Sequence, residues 1–469
     1  MSYEHVAPDR WRDAIAARLA IGARFAGAWA TRHAGTVAWR AAFTTPGGST
    51  TALSSRAADG RLPTIVDLLP AADWDEREAH DLYGLEFDGH EPLRALVAHL
   101  EDPAAWTIPV EGDGVHEVAV GPIHAGVIES GHFRFHVVGE RILAMDPRLF
   151  YKHRGLERAA EGRSVEDARP YAQRACAACA VTNTVAYAQA VEEALGLWPD
   201  HDLRLSRTLL LELERLYSHL NDIGAVCAGV GFAPGAMAFA ALKDRAQQIN
   251  LSLTGHRFLF GTVAVGAGVL VLDAPAVDAA RAELRELRTD AAAAWRELEF
   301  AGSLQARLEG VGVLGFADVA PSGACGPAAR AAGVRADVRE HSPRLAYENF
   351  SPAAPRKPTG DVAARLDIRA AELQATGEIL DELLSRPFAA GSTSALRRPD
   401  VLGIGLVESP RGATMAAVEL VGERVERLRL RTGSYANWPA LAHAATGNLL
   451  PDFPLINKSF ELCYACVDR

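Results

Sequence analysis

Four of the six cysteines fall in two pairs of identical spacing, Cys176-Ala-Ala-Cys179 and Cys463-Tyr-Ala-Cys466. One pair lies before the middle of the chain and the other at its far end. Thiols three residues apart in a helical or tight turn face the same way, so each pair can grip one metal ion. Two such pairs brought together make a four-thiolate site. Soft thiolates select zinc, iron–sulfur centres or late transition metals such as nickel. On spacing alone three chemistries stay open: a structural zinc staple, a redox dithiol and a catalytic transition metal. Zinc ribbons separate their pairs by about 15–20 residues, far less than here, and a redox dithiol needs one pair rather than two. Cys227 and Cys325 sit among apolar or small residues and read as inert core thiols.

The rest of the sequence must supply elements that bring the two pairs together. The 469 residues are ample for a core and for roughly two or three domains. The composition, 49% hydrophobic and 23% charged, is that of an ordinary soluble chain. A net charge of −11 excludes a general nucleic-acid binder, because no positive field would draw phosphates. The first residues hold no apolar signal segment, and the most apolar stretch, Gly261 to Leu272, falls short of the roughly 20 residues a membrane span needs. The expectation is a cytoplasmic chain that reaches a membrane only through partners.

The pattern predicts an α+β architecture in two domains. Residues 1–108 are expected to form a small α+β unit, with a helix over Trp11–Ala20, strands over Thr36–Thr44 and Thr50–Ser55, and a turn at Pro46–Ser49. A charged helix over Ala72–Tyr83 ends at Gly84, and its residues 75–78 are expected to pair within the helix or contact another subunit. Glu101–Pro109 reads as a linker. Residues 112–469 form the larger domain, with a short β region over Val115–Ala144 and mainly helix after residue 165. Three apolar stripes predict bundle helices: Leu209, Leu213, Leu216, Leu220 and Ile223; then Val277, Leu284, Leu287, Ala294 and Leu298; then Val362, Leu366, Ala370, Leu373, Leu380 and Leu384. Long antiparallel helices make a bundle, and bundle cores commonly house metal sites. Gly310–Gly315 spells GxGxxG but lacks the strand–turn–helix setting of a dinucleotide site.

Several segments around the thiol pairs carry a resemblance. Arg174–Cys179, Gly121–Phe135, Tyr151-Lys-His-Arg-Gly-Leu-Glu157, Glu408-Ser-Pro-Arg-Gly412 and Cys463–Arg469 together resemble the large subunit of a group 4, formate hydrogenlyase-type nickel–iron hydrogenase. That family is homologous to the 49-kDa subunit of respiratory complex I. Trp74–Glu78, Asp81–Gly84 and Phe87–Arg94 resemble the 30-kDa complex I subunit. The resemblance covers nearly the whole chain as a fusion of the two.

The resemblance implies that Cys176, Cys179, Cys463 and Cys466 bind nickel. Cys179 and Cys466 would also bridge to an iron carrying carbon monoxide and cyanide. Hydrogen is a very weak acid, so splitting it needs a Lewis-acidic metal and a nearby base. Glu129 matches the family's proton-passing glutamate, and Arg411 the arginine over the open metal position, where a fixed cation can polarise or position. From residue type alone, Glu129 reads as a solvated strand carboxylate and Arg411 as a loop arginine. His124, His132, His136 and His219 read as surface or hydrogen-bonded groups, not ligands. The implied partners are an iron–sulfur small subunit of the complex I 20-kDa type, a ferredoxin-like subunit and membrane-embedded complex I-like subunits, with the assembly at the inner face of the plasma membrane. The iron–sulfur cluster would lie in a partner, since no cysteines remain for one here.

Three positions depart from the family. Ala177 stands where glycine is usual, Asn183 where a histidine is expected, and Glu461-Leu462 where Asp-Pro is usual. Ala177 and Asn183 favour an alternative, a hydrogenase-derived scaffold or quinone-site subunit without hydrogen chemistry. The retained thiolates favour hydrogenase. The tail is expected to fold inward onto the metal.

Overall fold

The first apolar stripe lies on one long helix, His201–Gly229, and its five residues are all buried. Asp200 starts the helix by accepting a hydrogen bond from the Leu203 N–H. This computed structural model describes residues 3–33, 35–57, 59–99, 102, 105–124, 129–348, 350–351 and 353–469. Helices Ala233–Thr254, Val362–Leu384 and Phe453–Phe460 pack on the central helix, and Ala274–Phe300 packs on the first two of these. The other two stripes fall on Ala274–Phe300 and Val362–Leu384, capped by Asp273 and Asp361. The bundle is therefore built as the spacing predicts, one apolar face of each helix turned inward.

A three-stranded antiparallel sheet, Leu402–Ser409, Gly412–Val421 and Arg424–Arg431, interrupts the helix expected after residue 165. It escapes sequence reading because it is covered on both faces, so its first strand has no apolar–polar alternation. The Ala180–Leu195 helix lies on one face. Contact there is backbone to backbone: a Cβ on Gly405 would stand 1.9 Å from the Ala186 carbonyl oxygen, and one on Gly403 1.9 Å from that of Ala190.

The other face meets the N-terminal sheet, whose strand order is Glu4–His5, Thr50–Arg56, Thr36–Thr44, Arg24–His33. Trp29, Ala42 and Ala52 pack there against Leu402, Ile404, Met415 and Ala417. Glu419 is buried in this seam and accepts from Trp29 Nε1, Thr31 Oγ1 and Arg40 Nη1. The Trp11–Ala20 helix forms as expected, and the Thr50 strand runs one residue longer than expected. The charged helix spans Asp73–Tyr83 and ends on Gly84 at φ 70°, where glycine carries no Cβ penalty. Its residues 75–78 do not mainly pair within the helix. Asp75 and Glu78 are buried against Arg429, Arg431 and Arg469 of the far part of the same chain, while Glu76 bonds Thr64 and His90. Only Arg77 makes an i,i+4 pair, with Asp73.

The expected β region is a meander of Val115–Val120, His132–Val138 and Arg141–Arg148. Residues 101, 103 and 104 of the linker reading, and residues 125–128 of the Gly121–Phe135 motif, lie outside the described residues. Among the described residues no helix is long and apolar enough to cross a membrane. The Gly310–Gly315 segment follows a short helix, Gly302–Leu308, and forms no phosphate-binding turn between strand and helix.

The glycine contact gives a direct test of this framework. Gly405→Ala forces strand from helix and is expected to cost about 1–3 kcal/mol in urea unfolding. Gly47→Ala, where an added Cβ meets nothing within 4 Å, is expected to stay within about 0.5 kcal/mol.

Candidate metal centre

Each thiol pair is placed by a break in helix. Cys176 is extended, residues Ala177–Cys179 make one tight helical turn, and Ala180–Leu195 starts directly after. At the other end, Phe453–Phe460 stops where Glu461 takes a left-handed conformation, φ 50°. That reversal sends Cys463 inward, and the short turn Ala465–Asp468 carries Cys466. The four sulfurs converge with all Sγ atoms within 4.8 Å of one another, and Cys179 Sγ is 4.0 Å from that of Cys463. Cys176, Cys179 and Cys466 are buried and Cys463 half-buried. Among the described residues this is the one group of His, Cys, Asp and Glu placed to share an ion, and no histidine joins it.

The donor set fits a cation. Hydrogen bonds from Cys176, Cys179 and Cys466 hold the Cys463 thiol well below its ordinary range. Contacts with Cys176 and Cys463, that with Cys176 first, push Cys179 and Cys466 well above it. Four thiolates need positive charge between them.

The surrounding residues hold both pairs by their backbones. Arg154 donates to the carbonyl oxygens of Arg174 and Ala175, just before Cys176, and to that of Ala465, between Cys463 and Cys466. Glu129 Oε2 accepts from the Ala465 N–H at 2.7 Å, Ser434 Oγ from the Cys463 N–H at 3.0 Å. Glu129 therefore sits in a loop against the tail pair, not on a strand, and burial pushes its carboxyl up. Glu214 on the central helix accepts from the Val181 and Thr182 N–H groups and the Thr182 hydroxyl, capping the helix that follows Cys179.

Arg411 occupies a two-residue turn with Pro410, between paired Ser409 and Gly412. The turn is pinned from below, where Arg215 donates to the carbonyls of Glu408 and Ser409 and Asn437 Nδ2 to that of Arg411. Arg411 Nη2 meets Asp222 Oδ1 at 3.0 Å and Nε the Glu461 carbonyl at 3.0 Å, while buried Nη1 has no partner among the described residues. Burial disfavours its charge, but Asp222, Cys463 and Cys179 outweigh burial and keep it a cation. The guanidinium is thus buried, held on two of its nitrogens, and coupled electrostatically to Cys179 and Cys463. Asp222 and Glu461 complete this corner, and burial pushes Glu461 up to about 7. Asn183 lies in the first turns of the Ala180–Leu195 helix with both amide atoms buried and unpartnered among the described residues.

Sequence reading missed Asp222, Glu214 and Ser434. Nothing local marks them, since each is one polar residue within a helical run. Arg154 stood inside a recognised segment, but its backbone acceptors cannot be read from sequence. The histidines stay out of the site: His219 bonds Glu372, His124 reaches the Gly131 carbonyl, and His136 is buried 3.5 Å from Asp146. Cys227 and Cys325 are pushed by burial to about 11 and about 12, as inert core thiols should be.

Comparison with known proteins agrees with this picture. Family models match for the 49-kDa subunit of respiratory-chain NADH dehydrogenase over residues 230–399 and 388–469, for its 30-kDa subunit over 48–113, and for nickel-dependent hydrogenase over 154–222. Hydrogenase-4 component G of Escherichia coli (strain K12) is 31% identical, covering 88% of this chain and 77% of that protein. Formate hydrogenlyase subunit 5 of the same strain is 30% identical, covering 87% and 77%. A chain of the membrane-bound sulfane sulfur reductase, an archaeal respiratory membrane complex, superposes with a TM-score of 0.70 at 25% identity, covering 77% of this chain and all of that one.

Four thiols converging on a complex I-type frame define an oxidoreductase subunit with a nickel-dependent hydrogenase module. The chain belongs to the group 4, formate hydrogenlyase-type nickel–iron hydrogenase large subunits, with 30-kDa-like and 49-kDa-like complex I modules fused.

The Glu214 cap carries a pH signature. Burial outweighs its three hydrogen bonds and pushes its carboxyl from the ordinary 4.5 up to about 7. The folded chain thus holds a proton that an unfolded glutamate has released, so this group's contribution to stability falls as pH rises from about 4.5 to about 7. Glu214→Gln is expected to flatten that slope, by up to roughly 1.4 kcal/mol per pH unit, whatever its overall stability. Denaturant titrations of both proteins across this interval decide it, and parallel slopes would refute it.

Proposed function

We propose that this chain is the catalytic large subunit of a membrane-associated, complex I-related hydrogenase that interconverts H2 with protons and electrons. The observation that carries this reading is the convergence of four sulfurs from distant parts of the chain within 4.8 Å. In this reading Cys176, Cys179, Cys463 and Cys466 would hold nickel, and Cys179 and Cys466 would also supply thiolates to the iron. When bound, the nickel–iron pair supplies a Lewis acid that splits H2 heterolytically and passes on its electrons.

The chain's own residues do the rest. Glu129, whose Oε2 accepts from the N–H between the tail cysteines, takes the released proton at its other carboxylate oxygen and hands it outward. Its burial favours the protonated form, which suits a group that must accept a proton. Arg411 stays charged against Asp222 and within the electrostatic reach of Cys179 and Cys463, with Nη1 unpartnered among the described residues, and a fixed cation there steadies developing negative charge. Burial of the thiols excludes competing water. Residues 1–108 form the 30-kDa-like domain and residues 112–469 the domain that holds the metals. The electrons leave through an iron–sulfur small subunit of the 20-kDa type and a ferredoxin-like subunit, and membrane-embedded subunits anchor the assembly at the cytoplasmic face.

A second reading is a quinone-site or scaffold subunit without H2 activity. It draws on Ala177 and on Asn183, whose buried unpartnered amide stands where the family has a histidine. Asn183 cannot titrate near neutral pH, so any proton-carrying part of that position is lost.

Metal analysis separates the readings. The hydrogenase reading expects nickel and iron in equal amounts, with infrared bands from carbon monoxide and cyanide. Glu129→Gln is expected to retain both metals while H2 turnover falls by about 10²–10⁴-fold. Cys179→Ser or Cys466→Ser is expected to lose iron and activity together. Zinc alone, or no metal with quinone reduction intact, would overturn the reading.

A further inference from the structure

The tail thiols are tied to the opposite end of the chain through one buried arginine. Arg469, three residues beyond Cys466, is 2% exposed. Its Nη2 contacts both Glu78 carboxylate oxygens, at 2.6 and 2.7 Å, and its Nε contacts Glu157 Oε1 at 2.6 Å. Glu78 lies on the charged helix of the 30-kDa-like module, and Glu157 lies just past Arg154. The same pocket holds three arginines of the Arg424–Arg431 strand. Arg427 pairs with Glu157, Arg429 with Glu78 and Asp75, and Arg431 with Asp75. The Tyr435 ring lies under Arg469, 4.8 Å from its guanidinium carbon.

Four buried guanidinium groups thus share Asp75, Glu78 and Glu157, with Glu161 at the margin 3.8 Å from Arg427. Glu78 makes the close contacts to both Arg429 and Arg469, whereas Glu157 Oε1 lies 2.6 Å from Arg469 but 3.7 Å from Arg429. Removing Glu78 leaves Glu157 as the one carboxylate between these two buried cations, and Arg469 is the one free to shift, because it follows a single-turn helix rather than lying in a strand. That turn carries Cys466.

We propose that Glu78 is a positioning residue for the metal centre: the N-terminal module, through Arg469, keeps Cys463 and Cys466 closed onto Cys176 and Cys179. The fused first module is therefore part of the device that retains the metals, not only a docking platform. The metal arm of this inference rests on the reading of the thiols as nickel ligands. The thiol arm does not.

The test uses the full chain, metal-free and nickel-loaded, with iodoacetamide alkylation of each cysteine followed by mass spectrometry. Glu78→Gln is expected to raise alkylation of Cys463 and Cys466 in the metal-free chain at least tenfold while Cys227, sealed in the bundle, keeps its rate. Asp75→Asn removes ion pairs in the same pocket without touching Arg469, and is expected to change the tail thiols less than twofold. Nickel release to a chelator is expected to rise in parallel with tail alkylation. Arg469→Lys keeps the charge but loses the fork, and carries the same test with a smaller rise should Glu78→Gln fail to fold. Unchanged tail thiols, an equal rise at Cys227, or the same effect from Asp75→Asn would each overturn the inference. If no variant or wild-type chain binds nickel, the functional reading fails while alkylation still decides the role of Glu78.

Discussion

The structure depends on holding four sulfurs together in a dry pocket, an arrangement that repels itself until a cation arrives. No single element provides it. The first pair is held by the helix that starts after Cys179, which lies so close to the Leu402–Val421 strands that only glycine fits at 403 and 405. The second pair is held by a left-handed residue, a one-turn helix and hydrogen bonds that backbone N–H groups donate to Glu129 and Ser434. The thiols themselves contribute nothing to the closure. The cost of crowding them is offset by packing and by guanidinium groups on backbone carbonyls.

Arginine is the recurring device, buried at Arg215, Arg411, Arg429 and Arg469 and exposed at Arg154. Arg154, Arg215 and Arg411 each bind main-chain oxygens, and Arg411, Arg429 and Arg469 each bind carboxylates in the interior. A planar donor that cannot lose its proton suits this use, since it satisfies several acceptors at fixed angles where lysine would satisfy one. Such pairs add little net stability over apolar packing, but they fix geometry, because an unpaired partner is expensive. In this chain the fixed geometry lies around the sulfurs and between the two fused modules.

Much of the frame was legible from sequence. Leu209 through Ile223 repeat at helical spacing and are buried on one helix, and Asp273-Ala-Pro starts a helix as its cap chemistry requires. The Leu402–Arg431 sheet was not legible, because strands covered on both faces lose the alternation that marks them. The thiol pairs announced themselves by spacing, but their convergence is a long-range fact that no local pattern contains. The partners of residues 75–78 were hidden for the same reason: a run of acids and bases on a helix looks solvated until the arginines more than three hundred residues away come to meet it. Asp222 and Glu214 lie on the central helix with no marker beyond being polar in an apolar run.

Arg154 carries a consequence of its own. One guanidinium spans the turn entering Cys176 and the turn between Cys463 and Cys466. It thereby sets how concentrated each half of the pocket is in the presence of the other. A metal gripped by either pair meets the remaining two sulfurs as neighbours on a short tether, and no long loop has to be closed first. The chelate advantage of this centre is thus stored in an organic cation that never touches the metal.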